Sequence, residues 1–328
     1  MAKAVFKTKS GLTVGIAKLG VHGDGPGTVG QEVHDGDTVT VDPAGNLGVR
    51  FLGIDAPEVS FTLPAEALAA PDRRPGEATF VPIDDPRWEE FLADPLSDAF
   101  GPIELDPGLR TYIKGRVGRG VAANHARLAE TAKKALRAEV TGDMERLGQD
   151  ADNFGFFLAF ASEIMDGYGR FLGFLNCDQP APPRPPSYNE RLLRQGQVTP
   201  YFIWPNLDPY RRQPSLVDAV PEPGGIVPAG AVKAASQPLD EAREWVQQAR
   251  QDGLGIWSDG DPLRLYPFEL RFLSRRTPPD RWVIDLSAGD DRLLAPQDYY
   301  KIANPEDRLF VPGQYVALFA SKGWKPQA

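Results

Sequence analysis

Three acidic residues and one arginine in the N-terminal part of the chain have types and spacing suited to chemistry at a bound cation, with the acidic residues as the groups that could hold it. Asp37 follows a tight-turn sequence, Arg50 lies in the next apolar segment, and Asp55 and Glu58 come where that segment ends. Two carboxylates and a backbone carbonyl suit a hard cation such as Ca²⁺, which keeps coordination positions for water and substrate. A third carboxylate beside them can orient or deprotonate a water molecule. The pattern therefore indicates metal-assisted chemistry on water.

Predicted β-strands position these residues. Residues 33–41 and 49–54 have the composition of strands, and turn signals such as Asp35-Gly36 interrupt them. An alternating segment over 4–20 predicts a β-hairpin in front of them. Strand ends and the loops beyond them are where a rigid scaffold can direct several polar groups at one ligand. We therefore expect a β-meander that ends at Asp55-Ala56-Pro57-Glu58.

The middle of the chain predicts mainly helices. Residues 59 to about 119 are rich in proline and acidic residues, and a loop of that length without structure is unusual, so we expect short helices there. Apolar residues at helical spacing predict an amphipathic helix over 122–139. The other predicted elements are a helix over 86–92, strands over 154–164 and 170–176, and helices over 188–195 and 240–250.

Residues 259–328 predict a small β-rich extension. Apolar and polar residues alternate over 268–272, and residues 282–286 predict another strand. Residues 309–311 and 314–319 flank Pro312-Gly313 as a predicted hairpin.

The composition predicts a soluble globular protein. The 328 residues are enough for about two domains, and 41% hydrophobic with 25% charged residues is ordinary. One cysteine, Cys177, allows no intrachain disulfide, and three well-separated histidines disfavour a histidine metal site. No apolar run approaches the roughly 18 residues of a membrane helix, and no export signal is visible. We expect no membrane partner and a cytoplasmic protein by default, or a secreted one if a signal was removed.

Four short blocks of sequence occur in an order typical of one protein family. The blocks are Asp35-Gly36-Asp37-Thr38-Val39 with Asp55-Ala56-Pro57-Glu58, then Tyr168-Gly169-Arg170, then Arg194-Gln195-Gly196, and finally Gly255-Ile256-Trp257-Ser258. Four blocks in order are more specific than any one of them. The chain therefore resembles the staphylococcal-nuclease-like (thermonuclease) family over about residues 28–58 and 120–258.

The resemblance implies a fold and an activity. The fold would be α+β, an OB-type barrel of five strands with packed helices, an architecture that commonly binds oligonucleotides. This domain would span residues 1–258, with additions at about 59–119 and 206–238, before the extension at 259–328. The implied activity is a Ca²⁺-dependent endonuclease that hydrolyses phosphodiester bonds of DNA or RNA by in-line attack of water.

The resemblance also implies a metal site. Asp37 and Asp55 would bind Ca²⁺ through their carboxylates, and Ala56 through its carbonyl oxygen. Asp35 would stabilise the turn and support the metal site without binding the metal directly. Ca²⁺ would be the cofactor of the reaction.

Further roles follow from the same resemblance. Glu58 would orient or deprotonate the attacking water, and Arg50 and Arg170 would grip the scissile phosphate. The basic and aromatic residues expected to contact the nucleic acid are Tyr168, Tyr201, Lys114 and Arg116.

Alternatives stay open at the level of the sequence. The net charge of −9 repels nucleic acid overall, so a phosphate site must be a local basic patch. His125 has no partner pattern and is expected to be structural. The insertion is either a lid over the site or packing for the extension. The protein could be a nuclease-like module that binds nucleic acid or protein without hydrolysis, or an interaction protein whose active part is the extension.

Overall fold

The computed structural model describes residues 3–8, 13–23, 25–32, 40–68, 79–179, 182–208, 215–224 and 238–327, which contain both helices and strands. The α+β prediction is confirmed. Contacts divide the chain into two units, Met1–Arg50 with Glu163–Gly173, and Phe51–Ser162 with Phe174–Ala328. Within the described ranges, no helix has the length and apolar character needed to cross a bilayer.

The smaller unit is built mostly from short strands. Its elements are β1 (Val5–Lys7), β2 (Thr13–Gly15), β3 (Ala17–Leu19), β4 (Val21–His22), β5 (Gly25–Pro26), α1 (Val29–Glu32), β6 (Val41–Pro43) and β7 (Gly48–Phe51), of which the last reaches the larger unit. Strands β1 and β2 pair antiparallel, as predicted for residues 4–20. The predicted strand over 33–41 lies mostly outside the described residues, and its end coincides with the start of β6.

The larger unit begins with the insertion and the long helix. Its first elements are β8 (Gly53–Asp55), β9 (Ser60–Thr62), β10 (Phe80–Pro82), α2 (Pro86–Ala93), α3 (Pro107–Lys114), α4 (Val121–Leu147), β11 (Phe156–Ala159) and β12 (Arg170–Cys177), which starts in the smaller unit. The later ones are α5 (Tyr188–Arg194), β13 (Thr199–Ile203), α6 (Leu216–Ala219), α7 (Pro238–Gln251), α8 (Pro267–Arg275), β14 (Trp282–Asp285), β15 (Arg292–Leu294), β16 (Arg308–Val311), α9 (Val316–Ser321) and β17 (Lys325–Gln327).

A six-stranded sheet in the order β17-β15-β14-β16-β13-β8 organises the larger unit. Strand β8 pairs antiparallel with β13, and β13 pairs parallel with β16 of the extension. The described strands form no closed barrel, so the OB-type barrel stays a prediction.

Gly53 separates two strands where the sequence predicts one. Strand β7 ends at Phe51, and Gly53 opens β8 with a φ of +74°, a backbone conformation that glycine adopts readily. The left-handed residue redirects the chain, and β8 then joins the six-stranded sheet. The strand predicted over 49–54 is therefore found as two strands, divided at Leu52.

Two segments of the extension are helical rather than extended. Helix α8 replaces the strand predicted over 268–272, because Pro267 occupies its first turn and Glu269 accepts the backbone N–H of Tyr266 at 2.8 Å. Helix α9 replaces the strand predicted over 314–319, and it buries Phe319. The strands at Trp282–Asp285 and Arg308–Val311 agree with prediction. The extension is therefore a mixture of strands and helices.

The insertion and the extension share one hydrophobic core. Leu92 and Ile113 of the insertion lie in the same buried cluster as Leu270, Val283 and Phe310 of the extension. The helix predicted over 86–92 is confirmed as α2. Since these apolar side chains are buried against the extension, the structure favours packing over a lid as the role of the insertion.

The helices predicted in the second half of the chain are also confirmed. Helix α4 covers the predicted residues 122–139 and continues to Leu147, α5 begins with a capping box at Ser187 and Glu190, and α7 covers the predicted 240–250. The strand predicted over 154–164 is shorter, since β11 ends at Ala159.

Candidate active site

Asp55 is buried at the end of β8. Its exposed fraction is 0%, and it lies opposite Thr199 of β13 in the antiparallel register. The Thr199 hydroxyl donates a hydrogen bond to the Asp55 carbonyl oxygen at 2.9 Å. The sheet therefore fixes the backbone at the point from which the Asp55 carboxylate projects.

Glu58 follows at the start of the next loop, where His125 of α4 fixes its backbone. The Glu58 N–H donates to Nε2 of His125 at 2.8 Å. Burial lowers the pKa of His125 to about 4, and His125 is fully buried. The imidazole is thus neutral at pH 7 and can accept a hydrogen bond at Nε2.

Arg271 of α8 joins the two carboxylates. Its Nη1 and Nη2 donate to Oδ1 and Oδ2 of Asp55, each at 2.8 Å, and Nη1 also donates to Oε1 of Glu58 at 2.8 Å. Burial alone would lower the pKa of Arg271, but the two carboxylates outweigh it and the net shift is upward. Removing one partner of a buried ion pair typically costs about 3–5 kcal/mol, so each charge here depends on the others.

Tyr201 of β13 forms a wall beside this group. It is 9% exposed, its ring stacks on Phe268 at 5.4 Å between centroids, and the Arg271 Cζ lies 5.9 Å from the ring centroid. Its hydroxyl oxygen accepts a hydrogen bond from Nη1 of Arg281 at 2.6 Å. Tyr201 thus packs in the core, and its predicted contact with nucleic acid stays a prediction.

Arg50 and Arg170, which are predicted to bind the scissile phosphate, lie in the smaller unit. Arg170 begins β12 and pairs with Asp166, with Nε and Nη2 at 2.8 and 2.7 Å from Oδ2. Tyr168 is 52% exposed, and the Arg170 Cζ lies 5.4 Å from its ring centroid. Arg50 lies on β7. The predicted residues Asp35 and Asp37 lie outside the described residues.

The two predicted basic contacts, Lys114 and Arg116, differ in environment. Lys114 is exposed at the end of α3. Nε of Arg116 donates to the buried Glu269 at 3.3 Å, and the Arg116 Cζ lies 4.4 Å from the ring centroid of Tyr266. Arg116 is therefore tied into the fold, whereas Lys114 projects toward solvent.

The arrangement described does not fit a bound calcium ion. Both carboxylate oxygens of Asp55 and one of Glu58 accept hydrogen bonds from the Arg271 guanidinium. Ala56 follows Asp55 in the chain and is half-buried. Among the residues that the structure describes, no group of three or more His, Cys, Asp or Glu side chains could hold a metal ion.

Sequence reasoning found Asp55 and Glu58 but missed the two residues that hold them. The alternation over 268–272 predicts a strand with Arg271 on its polar side, and His125 is expected to be structural only. Pro267 and Glu269 together signal a helix start, which would have placed Arg271 on a helix. No local signal links Arg271 to Glu58, because they are 213 positions apart.

Asp55, Glu58 and Arg271 thus form a largely buried group of two carboxylates and one guanidinium. The chain is 30% identical over 151 residues to Endonuclease YhcR of Bacillus subtilis (strain 168). The matched part is 45% of this chain and 9% of that protein, so the chain spans under a tenth of its relative's length. No family model and no solved structure matches the chain.

Proposed function

We propose that the protein is a nuclease that hydrolyses phosphodiester bonds of DNA or RNA. The observation that carries the proposal is the convergence of Asp55 and Glu58 on one cation, in a chain similar over part of its length to an endonuclease. These are two of the positions at which the sequence resemblance requires carboxylates.

Glu58 is the proposed base for the attacking water. Its side chain is 20% exposed, so solvent reaches it, while Asp55 is fully buried. His125 fixes the backbone from which the carboxylate projects. A base positioned in this way typically contributes about 10²- to 10⁴-fold to the rate.

Arginines are the proposed phosphate ligands. Arg50 and Arg170 are assigned to the scissile phosphate, since a guanidinium fork matches two phosphate oxygens and neutralises developing charge. Tyr168 is exposed beside Arg170 and is proposed to contact a nucleotide. Lys114, exposed at the end of α3, is the proposed contact to the nucleic-acid backbone.

Calcium dependence is part of the proposal and comes from the sequence resemblance alone. Asp37, Asp55 and Ala56 are the proposed metal ligands. Asp35 is proposed to support the metal site without binding the metal directly. In the described structure the Arg271 guanidinium donates to both carboxylate oxygens of Asp55, so no catalytic step is derived through calcium.

One observation favours a second function, a module that binds nucleic acid or protein without hydrolysis. Arg271 neutralises negative charge on Asp55 and Glu58, the carboxylates that hydrolysis would use. A site that has lost its catalytic cation would keep such a pair for stability.

Cleavage assays distinguish the two functions. The protein is incubated with single-stranded DNA, duplex DNA and RNA, each with Ca²⁺ and with a chelator. Calcium-dependent fragments support the proposed nuclease and rank its substrates. Binding of these nucleic acids without cleavage by the folded protein supports the second function.

A further inference from the structure

The C-terminal extension places two further arginines near Arg271. Arg275 lies one helical turn after Arg271 on α8, and residues four apart on a helix are neighbours on its surface. Arg281 directly precedes β14, and the Cζ atoms of Arg271 and Arg281 lie 5.9 and 5.5 Å from the centroid of the same Tyr201 ring. Since Arg271 donates to Glu58 at 2.8 Å, both arginines lie close to the proposed base.

These two arginines keep their positive charge available to a ligand. Among the described residues, no carboxylate pairs with Arg275 or with Arg281. Arg275 is exposed, and its Cζ lies 5.0 Å from the centroid of the Phe61 ring. Nη1 of Arg281 donates to the Tyr201 hydroxyl at 2.6 Å, whereas its Nε and Nη2 have no partner in the described ranges and are open to solvent. In a chain whose net charge is −9, they form a local basic patch.

An exposed aromatic ring continues this patch. Phe80 of β10 is 57% exposed, and its ring meets the ring of Phe61 edge-on, with 6.1 Å between the centroids. Phe61 is also the ring that Arg275 covers, so the guanidinium and the exposed ring share one support. Single-stranded nucleic acids bind to such combinations, because basic side chains contact the phosphates and the bases stack on aromatic rings. The bases of a duplex are stacked on one another, so the ring of Phe80 suits an unpaired base.

We propose that Arg275, Arg281 and Phe80 form a surface that binds single-stranded nucleic acid beside Glu58. The two arginines contact phosphates, and Phe80 stacks on an unpaired base. Both arginines come from the extension and Phe80 comes from the insertion, so all three lie outside the residues that carry the family resemblance. The proposal rests on the proposed function, because it names the form of nucleic acid that the nuclease would receive.

Binding of a labelled single strand tests the proposal. Fluorescence anisotropy measures the affinity of a fluorescent oligothymidylate for the full chain, R275Q, R281Q and Phe80→Ala, with a chelator present and at several salt concentrations. R292Q is the matched control for the arginines, because Arg292 lies in the extension, its side chain is 55% exposed and it is already paired with a carboxylate. Phe156→Ala is the control for Phe80, since Phe156 is 49% exposed on β11.

The arginine and phenylalanine variants have different expected signatures. R275Q and R281Q should each lower the affinity about threefold or more, and should reduce the slope of log affinity against log salt by about 0.7, the value for one phosphate contact on a single strand. Phe80→Ala should lower the affinity about fivefold or more with an unchanged slope, because stacking on the ring neutralises no phosphate. R292Q and Phe156→Ala should bind as the unaltered chain does.

Two results would overturn the proposal. One is an unchanged affinity and salt slope in R275Q, and the other is a lack of oligothymidylate binding by the unaltered chain. R275Q keeps the test decisive if R281Q fails to fold in thermal melting, because the Arg275 side chain is exposed. The same labelled strand annealed to its complement should bind less tightly than the free strand, and equal affinity for the duplex would overturn the assignment to single strands.

The binding measurement is independent of cleavage. If R275Q loses affinity for the single strand and the unaltered chain cleaves no nucleic acid, the binding surface is supported and the nuclease is rejected. If the unaltered chain cleaves nucleic acid and R275Q binds the single strand equally well, the nuclease is supported and the binding surface is rejected.

Discussion

Neutral His125 is the residue on which the position of Glu58 depends. Its Nε2 accepts the Glu58 N–H, and protonation would turn that acceptor into a donor. An unfolded histidine binds a proton near pH 6.5, whereas burial lowers the pKa of folded His125 to about 4. The unfolded state thus binds more protons between these values, and stability must fall as the pH falls.

We predict a loss of stability between about pH 6.5 and pH 4 that depends on His125. The stabilisation from this group is full above pH 6.5 and decreases, by up to about 3 kcal/mol, as the pH approaches 4. Urea unfolding at pH 7.5, 5.5 and 4.5 measures the free energy of unfolding. His125→Gln, which keeps an acceptor for the Glu58 N–H, is the comparison. The same pH dependence in both proteins would contradict the role given to His125.

Residues of the site were predictable from sequence only where they form local patterns. Asp55 and Glu58 stand in one short block, and the strand before them was recognised by its apolar residues. Arg271 comes from a distant helix, and its contact with Glu58 follows from tertiary packing. The surroundings of Asp37 lie outside the described residues, so its role as a ligand stays a prediction.

At the scale of elements, two glycines, Gly196 and Gly255, allow the end of α5 to pack against the 3₁₀ turn at Gly255–Trp257. Gly196 has a φ of +61°, and a Cβ there would lie 2.4 Å from the Leu254 carbonyl oxygen. The Ile256 N–H donates to the Gly196 carbonyl oxygen at 2.7 Å. Both glycines come from sequence blocks of the family resemblance, and here they serve close backbone packing.

We predict that Gly196→Ala destabilises the larger unit by at least about 2 kcal/mol, from the left-handed backbone and the clash together. Gly260→Ala is the matched control, since a Cβ at Gly260 meets nothing within 4 Å. Denaturant unfolding compares the two variants. If Gly196→Ala lowers the free energy of unfolding no more than Gly260→Ala does, the prediction is contradicted. The turn would then move away from the added Cβ without cost.

Secondary structure was predictable where the spacing of apolar residues and the residues typical of element ends indicate the same element. Helices α4, α5 and α7 combine helical spacing with glycine just after their last turn or with good helix formers. Helix α8 was missed because alternation at Phe268, Leu270 and Phe272 over so short a segment also fits a strand. The capping interactions of Glu269, which favour the helix over the strand, depend on a buried environment.

At the scale of the whole molecule, the larger unit is stabilised by residues from the insertion and the extension together. Leu92 and Leu270 belong to one buried cluster, although one lies in the insertion and the other in the extension. Strand β16 of the extension pairs with β13, which in turn pairs with β8. This connectivity could not be predicted, because strand order depends on contacts between segments distant in sequence.

We predict that Leu92→Ala and Leu270→Ala each lower the free energy of unfolding of the same transition by about 2–5 kcal/mol. Both side chains are 0% exposed, and Leu216, which is 40% exposed, provides the control substitution to alanine. Urea unfolding followed by tryptophan fluorescence measures the effect. Separate transitions for the two variants would show that insertion and extension fold independently.

The proposed nuclease activity depends most on Glu58 as the base of a hydrolytic site. The direct measurement is the initial rate of cleavage, on the nucleic acid that the unaltered chain cuts best, for the unaltered chain, Glu58→Gln and Glu66→Gln. Glu66 is exposed, and its substitution controls for loss of a negative charge. We predict a fall of about 10²- to 10⁴-fold for Glu58→Gln alone, with the variant still folded by thermal melting. An unchanged rate in folded Glu58→Gln would contradict the assignment of this site.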